Sequence, residues 1–172
     1  MANARGKKVD TTYLSIDNAE ERGFLHRDYI AHCLRWSHVV KYLGTSQRYK
    51  SARVLDVGCG KEMPLSKLLH SSRMGTAWYG AVDVAPLVTP EQFRNASWKP
   101  HQLWSKTDVC TLKPDDFEAP PSAIVCFEVA EHVEPDHCRR MLAKFHELLE
   151  DEGRVFISTP CYDAHTGAAA NH

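Results

Sequence analysis

The chain has 172 residues, 43% hydrophobic and 25% charged, with a formal net charge of −1, which describes one soluble globular domain large enough to bury a core. No run approaches the roughly 18 apolar residues of a membrane span, and the polar start MANARGKKVD lacks the apolar segment of a secretory signal, so no membrane partner and a cytoplasmic location are expected. The six cysteines (33, 59, 110, 126, 138 and 161) contain no CxxC pair, and several fall in apolar segments, which argues against structural disulfides and a zinc site. Residues 1–53 carry 10 Lys/Arg against 5 Asp/Glu and the remainder carries 11 against 17. Without a sharp basic patch, that asymmetry reads as a solvated N-terminal surface rather than a face for an anionic partner.

Residues 1–23 are polar and aperiodic, a tail leading into the domain. From Leu25 to Leu43 the apolar residues Tyr29, Ile30, Cys33, Leu34, Val40 and Leu43 recur at helical spacing, with Gly44 placed to end the helix. Short apolar strands then alternate with helical stretches. Arg53–Val57 is a predicted strand, Pro64–His70 a helix with Pro in its first turn, and Ala77–Val84 a second strand carrying Asp83 at its end. A weak strand over Gln102–Ser105 precedes Asp108, and residues 114–122 form a loop with the pair Pro120 and Pro121. Ala123–Phe127 is the fourth strand. Pro135–Leu149 is a helix with Cys138, Met141, Leu142, Phe145, Leu148 and Leu149 on one face and Gly153 beyond it, and Arg154–Ser158 is the fifth strand. This alternation predicts an α/β fold, a doubly wound and mainly parallel sheet with helices on both faces and an amphipathic helix ahead of it.

In such a sheet ligands bind beyond the carboxyl ends of the strands, near the point where strand order reverses. Four consecutive strand ends carry carboxylates: Asp56 in VLDVGCGKEMP, then Asp83, Asp108 and Glu128. Gly58 and Gly60 allow a tight turn and let a ligand lie against bare main chain, while Asp83, 27 positions after Asp56, suits a bidentate hydrogen bond to ribose hydroxyls. The dinucleotide fingerprint GxGxxG fails, because its third glycine position is Met63 and Glu62 would face a pyrophosphate with like charge. No Walker lysine motif is present either. A phosphate-free adenosine ligand with a positive centre, such as S-adenosylmethionine, fits the loop better.

On these residues the chain resembles the class I S-adenosylmethionine-dependent methyltransferases. VLDVGCGKE is similar to the family's first motif, Asp83 in YGAVDV to its ribose-binding acid, and TDV at 107–109 to the acid that meets the adenine amino group; FEVAEHVEP and GRVFISTP resemble the fourth and fifth strand motifs of the small-molecule and RNA branches. The resemblance covers residues 50–160 and implies a Rossmann-like sheet. It implies a cofactor site built from Asp56 near the methionine amino group, Gly58, Cys59 and Gly60 under the cofactor backbone, Asp83 with Val84 at the ribose, Asp108 with Val109 at the adenine, and Glu128 beside the methyl. The implied domain plan is a tail over 1–23 and a single domain over 24–172, comprising a cap helix (24–50), a cofactor-binding core (51–160) and a C-terminal tail (161–172). Two departures stand out. Glu62 occupies the place where the family often has a third glycine, and the family's last antiparallel strand pair has no counterpart before His172, so a shortened sheet or a truncated chain is expected.

The resemblance implies an enzyme that transfers a methyl group to an O or N atom of a small molecule or RNA, an in-line displacement in which the protein mainly positions the acceptor and excludes water. Glu131 and His132 follow the fourth strand, where the acceptor approaches, and histidine is the residue type best suited to act as a base near neutral pH. Local capping and packing is the competing reading of both. Tyr29 or Trp36 could close over the sulfonium, although packing is the commoner role. E-x-x-E-H, at Glu128, Glu131 and His132, also resembles the metal site of the small-RNA 3′-end 2′-O-methyltransferases, with His165 or His172 as a fourth ligand to Mg²⁺ or Mn²⁺; methyltransferases with an EHV stretch and no metal make this the minor alternative. A non-catalytic S-adenosylmethionine-binding protein, regulatory subunit or fragment is the other.

Overall fold

A computed structural model describes residues 27–45, 52–61, 63–71, 76–87 and 100–159. Helix α1 (Arg27–Thr45) is followed by β1 (Arg53–Val57), α2 (Pro64–Ser71), β2 (Trp78–Asp83), β3 (Gln102–Ser105), β4 (Ala123–Phe127), α3 (Pro135–Leu148) and β5 (Arg154–Ser158). The five strands form one sheet in the order β3-β2-β1-β4-β5, and every ladder is parallel. The chain runs outward from β1 to β3 and then resumes on the other side of β1 with β4. The β1–β4 boundary is therefore the switch point where a crevice opens.

Alternation along the strands builds two cores, one per face. Val54, Tyr79, Ala81, Ala123 and Val125 pack with Val39 and Leu43 of α1 and Leu65 and Leu69 of α2. On the other face Leu55, Val57, Val82, Ile124 and Cys126 pack with Met141, Phe145 and Leu148 of α3. The period-two pattern of a strand covered on both sides explains why β1 and β4 read as continuous apolar runs. Trp78 anchors the second core in an aromatic cluster with Trp104 and Phe117, and the Arg53 guanidinium lies 4.9 Å from its ring centroid.

The strands over 53–57, 102–105, 123–127 and 154–158 form where the sequence places them, but the helix readings need correction. Helix α1 runs through Gly44 to Thr45 instead of stopping before it. Glycine inside a helix costs about 1 kcal/mol relative to alanine, and full burial of the neighbouring Leu43 outweighs that. Among the side chains of α1 that are described, Val39 and Leu43 are buried, whereas Leu34, assigned to the apolar stripe from the sequence, is 65% exposed. Likewise α3 buries Met141, Phe145 and Leu148, at helical i, i+4 and i+7 spacing, and leaves Leu142 exposed. Short 3₁₀ turns over 109–111, 114–116 and 130–132 occupy segments that the sequence pattern left as loop or unassigned. The predicted tails at 1–23 and 161–172, together with Glu62, His165 and His172, lie outside the described residues.

Candidate functional site

A cavity of about 270 Å³ opens at the carboxyl ends of β1, β2 and β4. Its size falls just below the roughly 300–1,000 Å³ common for small-molecule sites. Gly58, Asp83, Val84, Asp108, Val109, Glu128 and His132 all line it, so seven of the residues singled out in the sequence converge on one space.

The turn after β1 forms one wall. Gly58 has φ +70°, and its N–H donates to the Val82 carbonyl at 2.9 Å, so it closes the end of the β1–β2 ladder in a left-handed conformation. A Cβ there would stand 2.3 Å from Val129 Cγ2, which makes glycine necessary for space as well as for φ. Gly60 also has positive φ, but a Cβ on it would meet nothing within 4 Å. Its N–H instead donates to Asp83 Oδ2 at 3.0 Å, while Ala85 N–H donates to Asp83 Oδ1 at 2.8 Å. Asp83 thus fastens the two strand-end loops together. A carboxylate has about four lone-pair sites, so each oxygen retains acceptor capacity.

Asp56 occupies a different layer. It is 6% exposed, accepts a short hydrogen bond from the Tyr79 hydroxyl, and lies among the core residues of the first face rather than along the cavity lining. Burial raises its pKa from 3.8 to about 7 against the lowering effect of the Tyr79 hydrogen bond, with the Asp83 charge adding to the rise. Cys59 is buried beside it, and burial followed by the charges of Asp56 and Asp83 pushes its thiol far above the usual range. Neither Cys59 nor Gly60 lines the cavity.

At the end of β3, Asp108 caps the 3₁₀ turn over 109–111: its Oδ1 accepts from Cys110 N–H at 2.9 Å, and its Oδ2 lies 3.3 Å from His137 Nε2 of α3. At the end of β4, Glu128 adopts φ +56°, and its side chain accepts from Ser158 Oγ at 2.8 Å and pairs with Arg35 of α1 at 3.3 Å. Glu131 is set back from the lining. Its Oε2 accepts from Thr159 Oγ1 at 3.4 Å, and its Oε1 is buried without a hydrogen-bond partner among the described residues, 4.0 Å from Nε2 of His132. His132 itself is half-exposed at the cavity wall. Among the described residues, the ligand atoms of Glu128, Glu131 and His132 do not come together as a metal-binding group. Trp36 stacks on His32 along α1 and does not line the cavity, and the side chain of Tyr29 lies outside the described residues.

Several residues of the site were not singled out individually from the sequence. Val129, Val133, His137 and Met141 line the cavity, and Arg35 and Ser158 hold Glu128. Met141 was legible only as one member of an apolar helical face. Arg35 is an ordinary helix-surface arginine until α1 packs beside β4.

Chemically, the cavity is an apolar slot between Val82, Val109 and Met141, rimmed by the carboxylates of Asp83, Asp108 and Glu128, and its lining contains no Lys or Arg among the described residues. Such a rim repels phosphate and favours hydroxyls, amines and positive charge. Together with the parallel sheet, it defines the nucleoside-binding α/β class of the class I S-adenosylmethionine-dependent methyltransferases. The chain belongs to this methyltransferase family, whose domain model, described as a methyltransferase domain, matches residues 26–172.

Among curated proteins, the chain is 34% identical over 122 residues to a ubiquinone biosynthesis O-methyltransferase of Xylella fastidiosa, covering 69% of this chain and 46% of that protein. It is 30% identical over 125 residues to the protein of the same name from Xanthomonas euvesicatoria, covering 70% and 48%. The chain thus spans about half the length of the curated relatives it matches. Among solved structures, the fold is similar to that of the Burkholderia thailandensis 1,6-didemethyltoxoflavin-N1-methyltransferase, crystallised with 1,6-didemethyltoxoflavin and S-adenosylhomocysteine, with a TM-score of 0.58, 24% identity, and coverage of 86% of this chain and 60% of that one.

Proposed function

We propose that this chain binds S-adenosylmethionine at the carboxyl ends of β1 to β4 and transfers its methyl group to an O or N atom of a small molecule. The observation that carries the reading is the rim of three carboxylates, Asp83, Asp108 and the Arg35-paired Glu128, on a cavity whose lining among the described residues contains no Lys or Arg. These features fit a cationic adenosine ligand and oppose a nucleotide carrying phosphates. When bound, S-adenosylmethionine supplies a methyl group on a positively charged sulfur that is already an activated leaving group.

The protein's part is positioning. Asp83 would hold the ribose hydroxyls with the lone pairs that Gly60 and Ala85 leave free, beside Val84. Asp108 and Val109 would meet the adenine, with Met141 packing across the slot. Gly58 makes room for Val129 and sets the turn along the cavity wall, while Asp56 and Cys59 support the turn from beneath, acting through its shape. Glu128 is held by Ser158 and Arg35 at the wall where β4 ends, presenting negative charge toward the sulfonium region. His132, at the wall with Glu131 behind it, would take the proton from the acceptor as its oxygen or nitrogen attacks.

The names of the relatives support an O atom as the methyl acceptor and a small molecule over RNA. No helix of the described residues is long and apolar enough to cross a membrane. Calorimetry of the whole chain with S-adenosylmethionine and with S-adenosylhomocysteine is the primary test: binding of either is expected, and binding of neither overturns the reading. Transfer of labelled methyl groups to components of a cell extract then separates an enzyme from a binder. If His132→Ala turns over within a few-fold of the parent, His132 has no part in the proton transfer.

A further inference from the structure

Asp108, Cys110 and His137 lie outside every metal reading of the sequence, and their juxtaposition is tertiary. Asp108 and Cys110 flank the start of the 3₁₀ turn after β3, whereas His137 comes from the first turn of α3, 27 residues beyond Cys110. We propose that these three residues form a binding site for a single thiophilic divalent cation of the Zn²⁺ class, at the edge of the cofactor cavity.

Their spacing is close to that of a coordination shell. Asp108 Oδ2 and His137 Nε2 are 3.3 Å apart, Cys110 Sγ and His137 Nε2 are 3.8 Å apart, and all three ligand atoms fall within 4.8 Å of one another. Tetrahedral Zn²⁺, with bonds of about 2.0 Å to oxygen and nitrogen and about 2.3 Å to sulfur, needs ligand-to-ligand separations of about 3.3–3.6 Å. The Asp108–His137 pair already has that separation, the Cys110–His137 pair would close by about 0.3 Å, and Asp108 and Cys110, no more than 4.8 Å apart, would close by at most about 1.3 Å. The donor set of one thiolate, one imidazole and one carboxylate suits Zn²⁺ or Co²⁺ and disfavours Mg²⁺ and Ca²⁺, which take oxygen ligands. Three protein ligands leave a fourth position open.

The surroundings also orient the ligands. Asp108 Oδ1 is engaged by Cys110 N–H, which leaves Oδ2 turned to the imidazole. All three groups are partly buried, neither sealed from solvent nor fully hydrated. One contact opposes the ion. Arg140, one helical turn on, donates to His137 Nδ1 at 3.0 Å, which fixes the neutral tautomer with its proton on Nε2, the atom a metal would need. Binding therefore requires Arg140 to swing into solvent, and it is exposed enough to do so. Because Asp108 and His137 also line the cavity, an ion here draws a carboxylate out of the wall proposed to meet the adenine, so metal and cofactor would compete. That last step rests on the proposed function; the metal site does not.

The test uses the full chain, reduced and stripped of metal, titrated with Co²⁺ alone. The expected result is a thiolate-to-cobalt charge-transfer band that saturates near about one ion per chain, with visible bands of four-coordinate intensity, and that Zn²⁺ abolishes. Cys110→Ala should remove the charge-transfer band, and His137→Ala should weaken binding at least tenfold. Cys138→Ala should leave the band intact, and Arg140→Gln should tighten binding several-fold. Absence of the band, or its survival in Cys110→Ala, overturns the site. Circular dichroism of each variant checks that it is folded. Calorimetry with S-adenosylhomocysteine is a separate arm: if the band forms and no cofactor binds, the metal site stands and the methyltransferase reading falls.

Discussion

The β1–β2 side of the cavity and the β4–β5 side are built on different principles. On the first, main chain does the work: Gly58 closes a ladder, Gly60 and Ala85 donate their amides to Asp83, and the carboxylate and both loops are locked together by groups that every residue carries. On the second, side chains from distant elements do it, as Arg35 of α1 and Ser158 of β5 converge on a Glu128 held at positive φ. The outer strand there is also thinly covered, with Val155 and Ile157 exposed where β1 and β4 are sealed. A wall made of backbone is set by local sequence and tolerates little change. A wall made of long side chains is set by packing, and can be altered one contact at a time.

Gly58→Ala breaks the first wall and should have the largest effect. Positive φ and a Cβ at 2.3 Å from Val129 together cost about 2–4 kcal/mol, read as a lower melting temperature and at least tenfold weaker S-adenosylhomocysteine binding. Gly60→Ala separates the two contributions, because its Cβ meets nothing. Only the conformational cost of about 1–2 kcal/mol remains.

Asp56→Asn sharpens the comparison from beneath the turn. The raised carboxyl, from 3.8 to about 7, means that the folded protein keeps a proton which the unfolded chain has released over that window. Stability from this group is therefore full below about pH 4 and lost as the pH rises toward 7, a slope worth on the order of a few kcal/mol in all. Urea denaturation at several pH values should show the slope in the parent and a flatter profile in the variant.

Arg35→Met tests the other wall and should have the smallest effect. The pair is partly exposed, at 26% and 16% for the two side chains, and such ion pairs contribute about 1 kcal/mol or less. The expected outcome is faster amide exchange along α1 with cofactor affinity within about threefold of the parent, since Ser158 still holds Glu128. A loss as large as that of Gly58→Ala would show that the two walls do not differ in the way described.

Legibility follows the same division. The strand ends Asp83, Asp108 and Glu128 and the turn at Gly58 are readable, because a parallel sheet sends every strand's carboxyl end to one edge and period-two alternation marks where each strand stops. Which way Leu34 or Leu142 faces is not readable. Both sit at the margin of an apolar stripe, and a rotation fixed by neighbouring elements moves them outward.

By itself the sequence determines the order of elements, the parallel sheet, the cavity's position and its acidic character, since these depend on local pattern and on one topological rule. Tertiary structure alone decides that Asp56 lies beneath the site, that His132 and not Glu131 reaches the wall, that Arg35 secures Glu128, and that Cys110 meets His137. Those facts depend on burial and on contacts between segments far apart in the chain. Neither composition nor spacing encodes them, because the same residues would read identically had the helices packed a few degrees differently.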